Sequence, residues 1–493
     1  MRPTSTSRCT CRRVRGSSSR SHPSRRRGSC DRATTAPSTS RGSTTDSWRR
    51  LVGLSRSPAC AWRCEVAVTT VGAPVEVGRL RREYRLNVTQ NPSPALGQPG
   101  AETGTVGSLR QRNRALGLRH ILRAGRTTRA DLARACGMST ASAANIVADL
   151  VAEGLVEEAG SVSSGGGRPI AVIAPRADGA FALGADVGER GVAVELFDLS
   201  LTMVDREFRG GRAEERPEAI EADLRDAIEA LRVRNIARWP RVLGIGLGLP
   251  GVVETGDDGT QTLFAQSLGW EPRAVPSELG GDIPVFAENG AKTLAKAELW
   301  SGAAVGVDHA LVALLGRGVG LGVVSDGQVL TGWSSSASEW GHTKIRFDGE
   351  LCRCGDRGCV EAYVGADAIL EAWRRAGGEF EGTGWHALGR LLDAAETDPA
   401  AAAVLDETLR ALGAALGSMV NLAGPQRVVI GGWVGLRLME RHADRILDTI
   451  RANCLAHVGD RLELVAATFG GDTVALGSAL MPIDALIASP LSA

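Results

Sequence analysis

Four side chains with metal-seeking atoms fall close together in the chain. They are His342, Cys352, Cys354 and Cys359, in the spacing H-x9-C-x-C-x4-C. Three thiolates and an imidazole make a tetrahedral donor set that suits Zn2+. Gly355 and Gly358 let the intervening loop turn tightly. Four protein ligands leave no open coordination position, so the spacing predicts a structural zinc and not a catalytic one. The bland alternative is a pair of free buried thiols. The 10 cysteines in 493 residues are too few for a disulfide scaffold. In a reducing compartment such a cluster reads as a metal site before it reads as a disulfide. Cys9, Cys11, Cys30, Cys60 and Cys64 show no ligand pattern, and Cys136 and Cys454 read as single core residues.

A second constellation lies upstream and is built of small polar residues. The stretch 109–124 carries Leu109, Leu116, Ile121 and Leu122 near helical spacing, and Gly125 ends it. Thr127–Thr128 offers a cap for RADLARAC, with Leu132 and Ala133 inward. Gly137 breaks that helix, and Ser139 caps TASAANIVADLVAEG, with Ile146, Leu150 and Val151 on its apolar face. Two short helices joined through a Gly turn predict a helix-turn-helix. The outward first turns hold Ser139, Thr140, Ser142 and Asn145, small groups that can approach base edges or phosphates in a major groove. Leu155–Val156 and Ile170–Ile173 flank a Ser/Gly loop and read as a wing. Arg168, at or just past its tip, can reach a phosphate or a narrow minor groove. The competing reading is a three-helix packing unit with no DNA.

Positioning these groups requires at least two folded parts, and the charge divides accordingly. The net charge of +1 conceals +13 in residues 1–105, +4 in 106–178 and −16 in 179–493. Residues 1–50 hold 13 arginines and two acids, Asp31 and Asp46. So few apolar residues cannot offset the entropy of ordering. Residues 1–105 are therefore expected to be a disordered Arg/Ser-rich extension. An organellar transit peptide, a nucleic-acid-binding tail, or a segment upstream of the true start near Val88 or Val106 are the alternatives. Residues 106–178 are the expected winged helix-turn-helix domain and 179–493 a larger α/β domain. No run of 18 apolar residues exists and no secretory signal is seen, which predicts a cytoplasmic protein with no membrane partner.

The larger part alternates strands and helices, the mark of a buried sheet in an α/β fold. Its motifs follow in order: ADVGERGVAVELFD, GIGLGLPGVVE, FAENGAKTLAKAE, LLGRGVGLGVVSDGQVLTG, SEWGHTKI, CRCGDRGCVEAYVG and VVIGGWVG. Together they resemble the ROK family of repressors and sugar kinases. The winged helix-turn-helix with its GGGRP exit resembles the repressor branch. The likeness spans about residues 108–485. It implies a two-lobed actin-like, ribonuclease H-like fold with a sugar cleft between the lobes. It implies that the four metal ligands hold the family's zinc. It also implies that sugar hydroxyls are met by Asn289, Glu339, His342 and Glu361, with Gly251 of the Pro250–Gly251 turn at the cleft. Carboxylates and amides suit hydroxyls, since each can serve two neighbours.

The same resemblance argues against catalysis. The family's proton-accepting Asp follows Asn289, and here Gly290 has no side chain to accept a proton. The N-terminal phosphate motif keeps Asp186 and Gly188, but Glu189, Arg190 and Gly191 replace the rest. The second phosphate loop reads Gly316-Arg317-Gly318, with Leu321 where another Gly is usual. Glu288 as a substitute base is unfavoured, because adjacent residues point different ways. The expectation is a sugar-responsive DNA-binding regulator, a repressor before an activator, with no catalytic residue. A sugar or sugar phosphate is its effector, double-stranded operator DNA its partner, and a homodimer or homotetramer its assembly. The rivals are an active ATP-dependent sugar kinase with a DNA module, and a regulator that answers to a protein.

Overall fold

The structure, a computed structural model, describes residues 106–163, 169–188, 191–210, 216–382, 384–470 and 473–489. Residues 1–105, the wing-tip Arg168 and Glu189–Arg190 of the phosphate motif lie outside the described residues.

The first folded unit contains helix α1 (Val106–Ala124), strand β1 (Thr127–Thr128), helices α2 (Arg129–Ala135) and α3 (Thr140–Ala152), and strands β2 (Val156–Val162) and β3 (Ile170–Pro175). Thr128 caps α2 by accepting from Asp131 N at 3.1 Å. Ser139 caps α3 by accepting from Ser142 N at 3.0 Å. Such caps satisfy backbone donors that the helix itself leaves open. Gly125 and Gly137 sit at φ +66° and +61°, where a side chain is disfavoured, and so turn the chain between helices. The strands form an antiparallel sheet in the order β1-β3-β2, the expected wing. Leu118, Ile121, Leu132, Ile146, Val147 and Leu150 close the core. Leu109 and Val151, expected inward, are 57% and 41% exposed. Leu109 lies in the first turn of α1, beyond the edge of the core. Val151 follows Leu150 by about 100° round the helix, which carries it off the buried stripe.

The first lobe has β4 (Phe181–Gly188), β5 (Gly191–Asp198), β6 (Met203–Gly210), α4 (Pro217–Arg234), β7 (Val242–Leu249), β8 (Val252–Thr255), β9 (Gln261–Phe264), β10 (Arg273–Ala274), β11 (Val285–Asn289) and α5 (Gly290–Ser301). Its main sheet runs β11-β7-β4-β5-β6, parallel through β11, β7 and β4 and antiparallel beyond. The second lobe has β12 (Ala310–Leu315), β13 (Val319–Ser325), β14 (Gln328–Val329), α6 (Glu361–Val364), α7 (Ala366–Arg375), α8 (Gly384–Ala394), α9 (Pro399–Ala423), β15 (Arg427–Gly431), α10 (Gly432–Ala452), α11 (Ala456–Gly459) and β16 (Glu463–Ala466). Its sheet runs β14-β13-β12-β15-β16. The last helix, α12 (Thr473–Ala488), returns to the first lobe and packs on β4 and β7. Two five-stranded sheets with a returning helix make the expected two-lobed, actin-like α/β fold.

Glycine permits that return. A Cβ at Gly184 or Gly246 would collide with the backbone oxygens of Ala475 and Ser478, so α12 lies closer to the sheet than any side chain allows. One buried cluster then joins Leu118, Ile121 and Leu150 of the winged unit to Trp300 of α5 and Leu480, Ile483 and Ile487 of α12. Among the described residues no single helix is long and apolar enough to cross a membrane.

Candidate effector cleft, metal centre and DNA-facing helix

The cleft between the lobes is lined by Asp186, Gly188 and Arg206 from the first sheet and by Gly251, Ser267, Asn289 and Gly290 near the start of α5. From the second lobe come Gly316, Gly318, Ser338, Glu339, His342, Arg353, Glu361 and Trp433, with Thr473 and Val474 at the start of α12. Every residue expected to meet a sugar therefore falls on one surface. Their roles are more constrained than the sequence suggests. Asn289 caps α5, its Oδ1 accepting from Ala291 N at 2.9 Å, and its Nδ2 donates to Gly251 O at 2.8 Å. Glu361 is 5% exposed, and its Oε2 accepts from Val319 N at 3.1 Å. Its Oε1 lies 3.5 Å from Arg353 Nε and 3.6 Å from Cys352 Sγ. Two open carboxylate oxygens were expected there, but the backbone of β13 takes one. Burial pushes the Glu339 carboxyl above its ordinary range, against the pull of Lys292 and His342.

Gly290 is the first residue of α5. A Cβ there would meet Leu249 O, Leu314 Cδ2 and Val474 Cγ1 at 3.8 Å, ordinary contact distances. Neither space nor an unusual φ requires glycine at this position. Glu288 turns elsewhere: both of its oxygens accept from Ser335 Oγ at 2.9 Å, and Lys292 Nζ lies 3.7 Å away. Arg317 also leaves the cleft, donating to Asp367 Oδ2 at 2.7 Å, so only the backbone of that Gly-rich loop faces inward.

Several lining residues escaped the sequence reading, among them Ser338, Arg353 and Trp433. Ser338 has φ +71°, an uncommon region for a residue with a side chain, and its buried Oγ has no partner among the described residues. Arg353 and Trp433 reach the cleft only because the metal loop and the start of α10 fold towards it. Nothing in their spacing announces this.

The metal centre is compact. One ligand atom each from His342, Cys352, Cys354 and Cys359 lies within 4.8 Å of all the others. Cys354 Sγ and Cys359 Sγ are 3.8 Å apart, and His342 Nδ1 is 3.7 Å from Cys352 Sγ. Tetrahedral bonds of about 2.3 Å separate neighbouring sulfurs by about 3.8 Å, so the cluster fits a tetrahedral ion. Burial pushes the Cys352 thiol well above its ordinary range, and nearby Glu361 adds to this. A thiolate there calls for a cation. Lys344 Nζ donates to Cys359 Sγ at 3.0 Å from outside the set. Gln266 Nε2, across the cleft, donates to Cys354 O at 3.0 Å.

On the winged unit Ser139, Thr140 and Asn145 are exposed and Ser142 is half-buried. The Ser139 and Ser142 hydroxyls are 2.9 Å apart and bonded to each other. The local basic charge is largely paired: Arg110 with Asp149, Arg114 with Glu153, Arg129 with Glu158, and Arg134 with Asp131.

Residues 182–485 match the ROK family, which is more than half of the chain. The chain belongs to the ROK family. Residues 111–166 match the MarR family, over the helix-turn-helix and part of the wing. The chain is 26% identical to the xylose repressor of Caldicellulosiruptor bescii, over 78% of this chain and 98% of that protein. It is 28% identical to the glucokinase of Halalkalibacterium halodurans, over 60% of this chain and 92% of that enzyme. The crystal structure of a ROK family transcriptional regulator, a homologue of the E. coli Mlc protein, superposes with a TM-score of 0.63 at 25% identity. That match covers 77% of this chain and 97% of the other. The ROK part is shared by repressors and kinases. The likeness to the repressors extends further, into the winged unit.

Proposed function

We propose that this ROK protein is a sugar-responsive, DNA-binding transcriptional repressor whose kinase-like cleft senses and does not catalyse. The observation that carries this reading is the course of two helices. Helices α5 and α12 both begin on the cleft, at Gly290 and at Thr473–Val474, and both end against α1 of the winged unit. Arg123 Nη2 donates to Leu299 O, in the last turn of α5, at 2.9 Å. Arg119 and Arg123 stack near the Trp300 ring, about 6 Å from its centre. Asp484 of α12 accepts from Lys296 of α5 at 2.8 Å and pairs with Arg119 of α1 at 3.2 Å. A sugar or sugar phosphate that shifts α5 against α12 thereby shifts the winged unit. Allostery requires that the effector favour one arrangement over the other.

In this reading residues 106–178 read operator DNA and 179–493 sense the effector. Ser139, Thr140, Ser142, Asn145 and Arg168 face DNA. Asn289, Glu339, His342, Glu361 and Gly251 face the sugar. His342, Cys352, Cys354 and Cys359 hold a structural Zn2+, which cross-links the segment bearing Glu339 to the segment bearing Glu361. His342 offers Nδ1 to the metal and keeps Nε2 for the cleft. A cytoplasmic homodimer or homotetramer pairs two winged units with two half-sites. In this reading catalysis is lost, because Gly290 offers no base and neighbouring Glu288 is turned to Ser335.

The test is selection of genomic fragments bound by the purified chain, followed by titration with sugars. Operator binding that weakens with salt and is released by one sugar is the expected result. Turnover of hexose and ATP above about 1 per second, in the range of kinases, overturns the catalytic half of the reading.

A further inference from the structure

Arg353 stands between two metal ligands, so its backbone is held by the metal loop itself. Cys352 N donates to Asp356 O at 2.7 Å, Gly355 N donates to Cys352 O at 3.0 Å, and Leu351 bridges Arg357. The Arg353 side chain lines the cleft and is 27% exposed. Its Nε faces Glu361 Oε1 at 3.5 Å, too long for a good hydrogen bond. Among the described residues the guanidinium has no other partner, which leaves both Nη groups and their donors unengaged. Arg206, the other cleft arginine, differs, since it pairs with the buried Glu195 at 3.3 Å. A second donor without an acceptor, Ser338 Oγ, belongs to the same wall. A buried polar atom without a partner, as Ser338 Oγ is, calls for an explanation.

A fixed guanidinium fork matches the two oxygens of a carboxylate or phosphate better than a single hydroxyl. Beside it lie hydroxyl-binding groups: Glu339, and the second ring nitrogen of His342. We infer that Arg353 selects an anionic effector, a sugar that carries an oxyanion, and that neutral sugars are its poor substitutes. The inference rests on the sensor reading above. Both a sugar acid and a sugar phosphate meet the chemistry.

The test is calorimetric titration of the full chain with three ligand sets: neutral hexoses and pentoses, the matching 6- and 1-phosphates, and the matching uronates. Inorganic phosphate is titrated alone beside them. One anionic form binds about ten- to a hundredfold more tightly than its neutral parent, and which arm responds names the source of the charge. Arg353→Gln removes that gap while its metal content stays at the wild-type level. Arg353→Lys, which keeps the charge but loses the fork, falls between. Neutral sugars binding as tightly as their anions overturn the inference and leave the sensor reading standing. So does a preference for anions that survives in Arg353→Gln. Inorganic phosphate binding as tightly as the best sugar anion also overturns it. Binding by no sugar of any class overturns the inference and the sensor reading together.

Discussion

At the scale of single residues, chemistry was legible where side-chain type and spacing decide it. The cluster of His342, Cys352, Cys354 and Cys359 could be read because a Cys3His set needs four particular atoms, and a short spacing lets a loop gather them. Substituting one of them tests the centre. Cys359 is fully buried against Cys354 and Lys344. Cys359→Ser is expected to lose the bound metal and about 4 kcal/mol or more of stability, as removal of a structural metal does. Metal analysis and denaturant unfolding check this, and a variant that keeps full metal content contradicts the assignment. The glycine at position 290 could also be read, since an absent side chain offers no group for proton transfer. Its surroundings could not. The ordinary contacts of a Cβ there predict that Gly290→Asp folds normally. An acid in the first turn of α5 adds about 0.3–1 kcal/mol through the helix dipole. Thermal unfolding measures that gain. A coupled assay should show turnover still below about 1 per second, because the altered phosphate loops remain. Arg353, Ser338 and the occupied oxygen of Glu361 were not legible, because no local pattern states where a loop will aim a side chain.

At the scale of elements, periodicity gave the helices of the winged unit and the alternation of the lobes. It misjudged edges. The stripe on α3 was drawn one residue too wide at Val151, and Leu109 was counted into a core that it overhangs. The net basic charge of the winged unit does not show that Arg110, Arg114, Arg119, Arg129, Arg134 and Arg176 each pair with an acid, some across elements and some within their own. The contact of α1 with the ends of α5 and α12 was invisible in sequence. It depends on Arg119 and Arg123 of α1 and on Asp484, which lies 365 residues beyond Arg119. The coupling reading makes a specific demand of Asp484. Asp484→Ala breaks both pairs in a half-exposed setting, so about 1 kcal/mol of stability is lost. Effector affinity should stay within about twofold, whereas the effector's influence on operator binding should fall by about fivefold or more, the low end of allosteric couplings. DNA-binding titrations with and without effector measure this. Unchanged coupling would show that the signal takes another route.

At the scale of the whole molecule, the two lobes and the preceding winged unit were foreseen from the order of motifs, as was the cleft between the lobes. What order alone leaves out is the return of the last helix. Only the close approach at Gly184 and Gly246 shows that α12 belongs to the first lobe, and only its far end shows that it reaches the DNA-facing unit.

The apolar cluster shared by α1, α3, α5 and α12 has a consequence for how the chain melts and how it can be cut. Leu118, Ile121 and Leu150 are covered in the same layer as Trp300, Leu480 and Ile483. A DNA reader excised at residue 178 would present an uncovered greasy face to water and be prone to clump. In the intact chain, heating should melt reader and first lobe in one calorimetric step, since neither half of a shared layer survives the loss of the other. Two well-separated peaks would mean that the layer is loose. The DNA reader is thus no bead on a string but a joint tenant of the sensor's interior, and shuffling it onto another scaffold would require transplanting α12 with it.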